Sequence, residues 1–409
     1  MTSEETSMFH FPDGFLWGAS TAAHQIEGNN VASDFWAIEH AEGSVLPERS
    51  GDACDSYHRW REDLALLRAA GLNSYRFSIE WSRIEPARGE ISRAQLAHYR
   101  AMIDGCLEVG VAPIVTLHHF TSPQWFAAAG GWLAPDAVDT FARFVETACA
   151  VLDDVEWVCT FNEPNMLAML TALLGGGSEP VELVAGALPP PDPTIGDALI
   201  EAHHRARGIL RERTQARVGW TIANQNFQAE PGAEAVAEEW GWSREDRFID
   251  AAADDDFIGV QAYTRVRIGR EGALPIPPGA ATTLTGWEYF PAAVGLAARH
   301  TARRLPDTPI MVTENGIATG DDEERIRYTA GALSSLADAI GDGVDVRGYL
   351  HWSLLDNYEW GSYGPTFGLV AVDRESFERR PKPSLSWLGQ VARQNGFARD
   401  DAGRQADIK

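Results

Sequence analysis

A strand-sized apolar run, a polar or aromatic cluster and an amphipathic helical stretch recur along this chain, and that alternation constrains its fold more than any other feature. The apolar runs fall at residues 15–18, 74–79, 112–117, 157–161, 218–222, 257–261, 310–313 and 348–352, which predicts eight strands. Between them, Trp60, Leu64 and Leu67 line one face of a helix that stops at Gly71, and Leu96, Tyr99, Ile103 and Leu107 repeat the pattern before Gly110. Each crossover helix returns the chain to start the next strand in the same direction, so the sheet is expected to be parallel. Eight such units predict an α/β fold: a single (β/α)8 TIM barrel over residues 1–409, with a polar tail from Gln394 expected to fray. A doubly wound open sheet is the competing architecture. No G-x-G-x-x-G follows a strand, and polar clusters end many strands rather than one switch point, so the barrel is preferred. The Pro/Gly clusters at 175–193 and 274–279 read as surface loops.

The charge balance excludes several classes of partner. Lys and Arg number 34 against 59 Asp and Glu, a net charge of −25, and no basic run occurs. A nucleic-acid groove or an anionic membrane surface rewards clustered positive charge, so neither is expected. Cys54, Cys106, Cys149 and Cys159 show no C-x-x-C spacing and are expected to be reduced thiols. The opening MTSEETSMFHFPDGF has no basic and apolar leader pattern, and no apolar stretch reaches 18 residues. A cytoplasmic protein is the expectation. Its oligomeric state is not legible.

The chemistry is written at the strand ends. Two apolar runs finish in a glutamate beside an asparagine: Asn162-Glu163 in TFNEPN and Glu314-Asn315 in TENG. A carboxylate at the end of a buried run is costly unless paired or used, and the C-terminal mouth of a barrel is where active sites form. Alone, each glutamate would pass for a strand-end cap; the other strand ends argue otherwise. Arg76 lies in a run fit for burial and needs a carboxylate partner. His118 and His119 end the third run, Gln261 and Tyr263 the sixth, Trp352 the eighth, with Glu359 and Trp360 following, and Gln25 follows the first. Amides, a histidine, carboxylates and indoles together suit a sugar, whose hydroxyls need donors and acceptors and whose C–H faces stack on indole. Two carboxyls on different strands suit a glycosidic bond, which is protonated from one side and attacked from the other.

The ordered set FPDGFLWGASTAAHQIEG, DACDSYHRWREDLALL, YRFSIEWSRIEP, TFNEPN, DFIGVQAYT, TENG and WSLLDNYEW resembles the family-1 glycoside hydrolases, the retaining β-glucosidase and β-galactosidase family, over nearly the whole chain. The resemblance implies a retaining β-glycosidase acting on a small-molecule β-glycoside without a cofactor or metal. It implies Glu163 as general acid/base, Glu314 as nucleophile, Arg76 and Tyr263 as the groups that keep Glu314 ionised, and Asn162 as the partner of the sugar 2-hydroxyl. It likewise implies Gln25, His119, Trp352, Glu359 and Trp360 as further sugar contacts. Phe120, Trp125, Asn165, Met166 and Trp287 are the candidate aglycone contacts. Phe120 stands where a tryptophan is commoner, and Gln261-Ala262 where Asn-Tyr is. The segment after TFNEPN is short and glycine-rich, which predicts an open aglycone side.

Competing readings are weaker. A 6-phosphoglycosidase would put cations near the phosphate, but the GSYGPT after Trp360 has no lysine and Glu359 would repel a dianion. A sugar-binding barrel without catalysis would not need both glutamates. A transglycosidase shares the glycosyl-enzyme, so the residues do not choose between water and an alcohol acceptor. His118, His203 and His204 are read as structural, and Arg265, Arg267 and Arg270 as a solvated face.

Overall fold

Eight parallel strands close into a barrel in the computed structural model, which describes residues 7–174 and 189–399. The strands are β1 (Leu16–Ser20), β2 (Ser74–Ser78), β3 (Ala112–His118), β4 (Trp157–Asn162), β5 (Arg217–Ala223), β6 (Ile258–Gln261), β7 (Ile310–Asn315) and β8 (Val346–Trp352). Each pairs with its sequence neighbour, and β8 closes the ring on β1 with Leu350 opposite Gly18. The returning helices are α1 (Ser56–Ala70), α2 (Arg93–Glu108), α3 (Ala137–Ala148), α4 (Pro193–Arg213), α5 (Glu234–Gly241), α6 (Ala293–Arg304), α7 (Asp322–Gly341) and α8 (Pro383–Gln394).

The alternation within the strands explains the two cores. Ile114, Trp157, Cys159, Phe257, Met311 and Leu350 pack together with Leu16 and fill the barrel. Their neighbours Val115, Val158, Ile258, Val312 and Tyr349 belong to the larger cluster under the helices. Strands covered on both faces read as continuous apolar runs, which is why the sequence pattern found them. Local chemistry sets the helix ends. Gly71 takes φ 97° after α1, and Asp192 caps α4 by accepting from the N–H groups of Thr194 and Ile195, with Pro193 in the first turn.

The expected frayed tail is corrected over its first part. Gly396–Arg399 pairs antiparallel with Ser7–His10, setting Phe397 opposite Phe9. Phe397 is buried against Phe9 and Phe11, and Asn395 accepts from the Trp17 indole at 2.9 Å. Burying aromatic rings outweighs the polar composition that suggested fraying. Residues 400–409 lie outside the described residues, as does 175–188 of the expected glycine-rich loop, on which the open aglycone side was based. Of the arginines expected on a solvated face, Arg270 is exposed, whereas Arg265 and Arg267 are half-buried, Arg265 ion-paired to Glu288 at 2.6 Å and Arg267 to Glu230. The four cysteines are unpaired, three of them buried. Among the described residues, no helix is long and apolar enough to cross a membrane.

Candidate active site

Both glutamates follow a break in strand register. Against β5, the pairing of β4 slips between Cys159 and Asn162. Thr160 bonds His203 of α4 at 2.7 Å and Phe161 packs on Phe141 of α3, so two successive side chains face the helices and Asn162 returns to the inside. In β7 the pairing slips between Val312 and Glu314 against β6. Bulges of this kind re-aim a side chain where pairing ends. Glu163 then takes φ +44°, with its N–H held by Thr221 O at 2.8 Å, before the helix Pro164–Leu174 begins. A left-handed non-glycine residue costs on the order of 1–2 kcal/mol, so the surrounding bonds must hold it there.

Arg76 is the hub of the mouth. Fully buried, it donates from Nη1 to Glu314 Oε1 at 2.7 Å and from Nη2 to Asn162 Oδ1 at 2.7 Å. Tyr263 donates its hydroxyl to the other oxygen, Glu314 Oε2, at 2.8 Å. Asn162 Oδ1 also accepts from Gln261 Nε2 at 2.9 Å and Thr221 Oγ1 at 3.2 Å. The close approach of β7 and β8 requires glycine after Asn315: a Cβ on Gly316 would stand 2.0 Å from Trp352 O.

A second cluster adjoins this one. Gln25 donates from Nε2 to Asn357 Oδ1 at 2.9 Å and to Glu359 Oε2 at 3.2 Å, and Trp352 donates its indole N–H to Glu359 Oε1 at 3.0 Å. The His119 ring lies nearly parallel to those of Trp352 and Trp360, with ring centroids 5.9 and 6.2 Å away. Gln25 Oε1 and His119 Nδ1 are buried without a hydrogen-bond partner. Buried polar atoms are rarely left so, and two of them beside a carboxylate and two indoles suit hydroxyl recognition.

The electrostatics separate the two glutamates. Burial, reinforced by the negative charge of Glu314 and opposed by Arg76, holds the Glu163 carboxyl well above the usual carboxylate range. Burial also raises Glu314, but Arg76, Tyr263 and Gln261 all pull it back down. Glu163 makes no side-chain hydrogen bond among the described residues to offset its burial, so it keeps its proton to higher pH than Glu314. Burial and the charge of Arg76 keep His119 neutral. Burial pushes Glu359 up to about 8, against the hydrogen bond from Trp352.

The residues expected around the aglycone divide. Trp287 is 38% exposed and lies 5.6 Å from the Tyr263 ring, while Phe120 stands edge-on to Trp360 at 5.1 Å. Met166 is half-buried on the helix after Glu163. Asn165 is a correction: it is buried and its amide bonds Ala223 O, Arg244 O and the Ala223 N–H, so no polar atom remains for a ligand. Trp125 is half-buried, with its indole N–H on Glu85 O and its ring edge-on to Trp81. His118 bonds Ser122, His203 bonds Thr160 and Asp255, and His204 bonds Ala251 O, all structural roles. Glu245, Asp246 and His300 converge elsewhere, but Asn224, the Gln225 N–H, His300 and Arg304 already occupy the four carboxylate oxygens. That cluster is a hydrogen-bonded knot, unsuited to a metal.

Sequence reasoning gave no role of their own to Thr221, Asn357 and the His24–Glu39 pair, whose imidazole stacks on Trp360 at 5.8 Å. A polar residue at the mouth end of the fifth apolar run was the available signal for Thr221.

Two carboxyls of unlike proton affinity, set in a barrel mouth among amides, indoles and a neutral imidazole, are the equipment of an O-glycosyl hydrolase. The family model described as Glycosyl hydrolase family 1 matches residues 7–225 and 260–397, and the chain belongs to that family of retaining glycosidases. It is 32% identical to "Thermostable beta-glucosidase B" of Thermobispora bispora, over 97% of this chain and 93% of that protein. Among solved structures it is similar to "beta-glycosidase BGL167" (41% identity, TM-score 0.87, 98% and 99% of the two chains). The family 1 β-glucosidase from Thermotoga maritima matches with 27% identity and TM-score 0.87, over 96% and 99%.

Proposed function

We propose that this chain hydrolyses unphosphorylated β-glucosides in the cytoplasm as one catalytic barrel domain, with Glu314 as nucleophile and Glu163 as acid/base. The observation that carries the assignment is the asymmetry of the two carboxyls. Glu314 holds an arginine and a tyrosine hydroxyl on its two oxygens, while Glu163 has no hydrogen-bond donor among the described residues and feels the charge of Glu314. Glu314 attacks the anomeric carbon as Glu163 gives its proton to the departing glycosidic oxygen, leaving a glycosyl ester on Glu314. Esterification removes the charge that held the Glu163 proton, so Glu163 then accepts a proton from water as that water opens the ester. Two displacements preserve the anomeric configuration, and they require carboxyls about 5 Å apart. Asn162 meets the 2-hydroxyl, Gln25, His119 and Glu359 the other hydroxyls, and Trp352 and Trp360 the ring. Phe120, Met166 and Trp287 border the aglycone. Glucose is favoured because the relative from Thermobispora bispora is named a β-glucosidase. An unphosphorylated sugar is favoured because Glu359, held by Gln25 and Trp352, presents a carboxyl suited to a sugar hydroxyl where a phosphate would call for a cation. Unpaired cysteines fit a reducing compartment.

The test is a panel of 4-nitrophenyl glycosides followed by product analysis by NMR. Retained configuration, loss of hydrolysis in Glu314→Gln, and labelling of the Glu314 peptide by a 2-deoxy-2-fluoro glucoside are expected. A label on another peptide, or an inverted product, rejects the assignment; transfer of sugar to added alcohols faster than to water identifies a transglycosidase.

A further inference from the structure

We infer that Gln261 is a positioning residue, fixing the plane of the Asn162 amide so that its NH2 group faces the bound sugar. The inference rests on the reading of Asn162 as the partner of the 2-hydroxyl.

Asn162 Oδ1 is surrounded by donors: Arg76 Nη2 at 2.7 Å, Gln261 Nε2 at 2.9 Å and Thr221 Oγ1 at 3.2 Å. A guanidinium is a donor only, so Arg76 dictates which end of the Asn162 amide faces inward. One bond leaves the amide free to hinge. A second donor on the remaining lone pair fixes its plane, and Gln261 at 2.9 Å is the nearer of the two that could supply it, Thr221 Oγ1 standing at 3.2 Å and shared with Phe161 O. Because Asn162 must present its oxygen there, Gln261 must present its nitrogen, and its own Oε1 is left buried without a partner. An unpaired buried acceptor weakens a fold, and β6 is otherwise apolar, with Ile258 and Val260 beside it. The glutamine is therefore best explained by what its amide nitrogen serves, Asn162 Oδ1 at 2.9 Å and the neighbouring Glu314 carboxylate.

The scaffold around it is built for placement. Asn224 grips the Gln261 backbone twice, accepting from its N–H at 3.2 Å and donating to its carbonyl at 2.7 Å. Asn224 is itself held by Glu245 at 2.7 Å. Gln261 lies opposite Glu314 in the β6–β7 register, so one side chain spans the nucleophile's strand and the amide that reads the sugar. Gly259 leaves room for Thr221, whose Cγ2 would lie 2.4 Å from a Cβ at that position.

The experiment compares kcat/KM for 4-nitrophenyl β-glucoside and its 2-deoxy analogue in the full-length enzyme and in Gln261→Met, which keeps the bulk and removes both amide atoms. The wild type should prefer the 2-hydroxy sugar, and the preference should shrink about fivefold in the variant, the value of one neutral hydrogen bond. The loss of Gln261's bond to Glu314 lowers kcat for both sugars alike, so the positioning role is read from the ratio of the two sugars, in which that common loss cancels. The melting temperature should hold or rise, since the unpaired Oε1 is gone; a merely structural glutamine would lower it. Should Gln261→Met fail to fold, Gln261→Leu reads the same ratio. An active wild type whose 2-hydroxyl preference survives intact in the variant overturns the positioning role and leaves the functional assignment standing. A wild type inert toward both glycosides overturns both.

Discussion

Replacing Arg76 with methionine tests the electrostatic reasoning most directly. The guanidinium is fully buried, 2.7 Å from Glu314, and its side chain and that of Glu314 are 0% and 5% exposed. Removing one partner of such a pair costs about 3–5 kcal/mol because the other charge stays buried. The protein escapes that cost by protonating Glu314. At about 1.4 kcal/mol per pKa unit, the penalty corresponds to an upward shift of roughly 2–4 units. The sign follows from the cause: Arg76 lowers the Glu314 pKa, so its loss raises it. The acid limb of the pH profile of kcat/KM, which reports ionisation of the nucleophile in the free enzyme, should therefore move up by about two units or more. On the acid side of both limbs, where the ionised fraction falls tenfold per pH unit, hydrolysis of 4-nitrophenyl β-glucoside should drop about 100-fold or more. Stability changes in the same window. A raised folded-state pKa contributes stability that is complete below the ordinary carboxyl value of 4.5 and is lost as the pH climbs to the raised one. The variant should thus unfold more easily than the wild type at neutral pH and approach it in acid, as read by urea titrations at several pH values. An acid limb that stays in place, with activity within tenfold of wild type, would refute the role assigned to Arg76.

Three further outcomes are expected. Glu163→Ala should slow alkyl glucosides by about 100-fold or more and aryl glucosides with activated leaving groups far less; equal losses in steady-state kinetics would contradict the acid role. Glu359 is pushed up to about 8, and sugar hydroxyls donating to it favour its ionised form, so binding a glucose-like inhibitor below pH 8 should release protons. Calorimetry in buffers of different ionisation heat measures that release, and Glu359→Gln should diminish it; proton uptake would contradict the contact. Asp63→Ala should cost about 3–5 kcal/mol of stability, because Arg379, 0% exposed and 2.7 Å from Asp63, would be buried alone. Denaturant titration measures the loss, and kcat below the transition should stay unchanged.

The residues of this chain already determine the barrel, since strands buried on both faces and crossover helices with one apolar stripe carry strong periodic signals, as at 112–117 and across Trp60, Leu64 and Leu67. They also determine which side chains could do chemistry, because Glu163, Glu314 and Arg76 each break an otherwise apolar pattern. The tertiary structure alone decided how those side chains meet. The register slips before Asn162 and Glu314 have no sequence signal, since they arise from pairing with other strands. Asn165 resembled a ligand contact beside Glu163 until its amide proved to join Ala223 and Arg244, residues remote in sequence. Polarity said that the residues from Gln394 would fray, whereas Phe397 found Phe9 and Phe11 at the other end of the chain. Local patterns report what a residue prefers; hydrogen bonds between distant segments and the burial they allow exist only once the ring has closed.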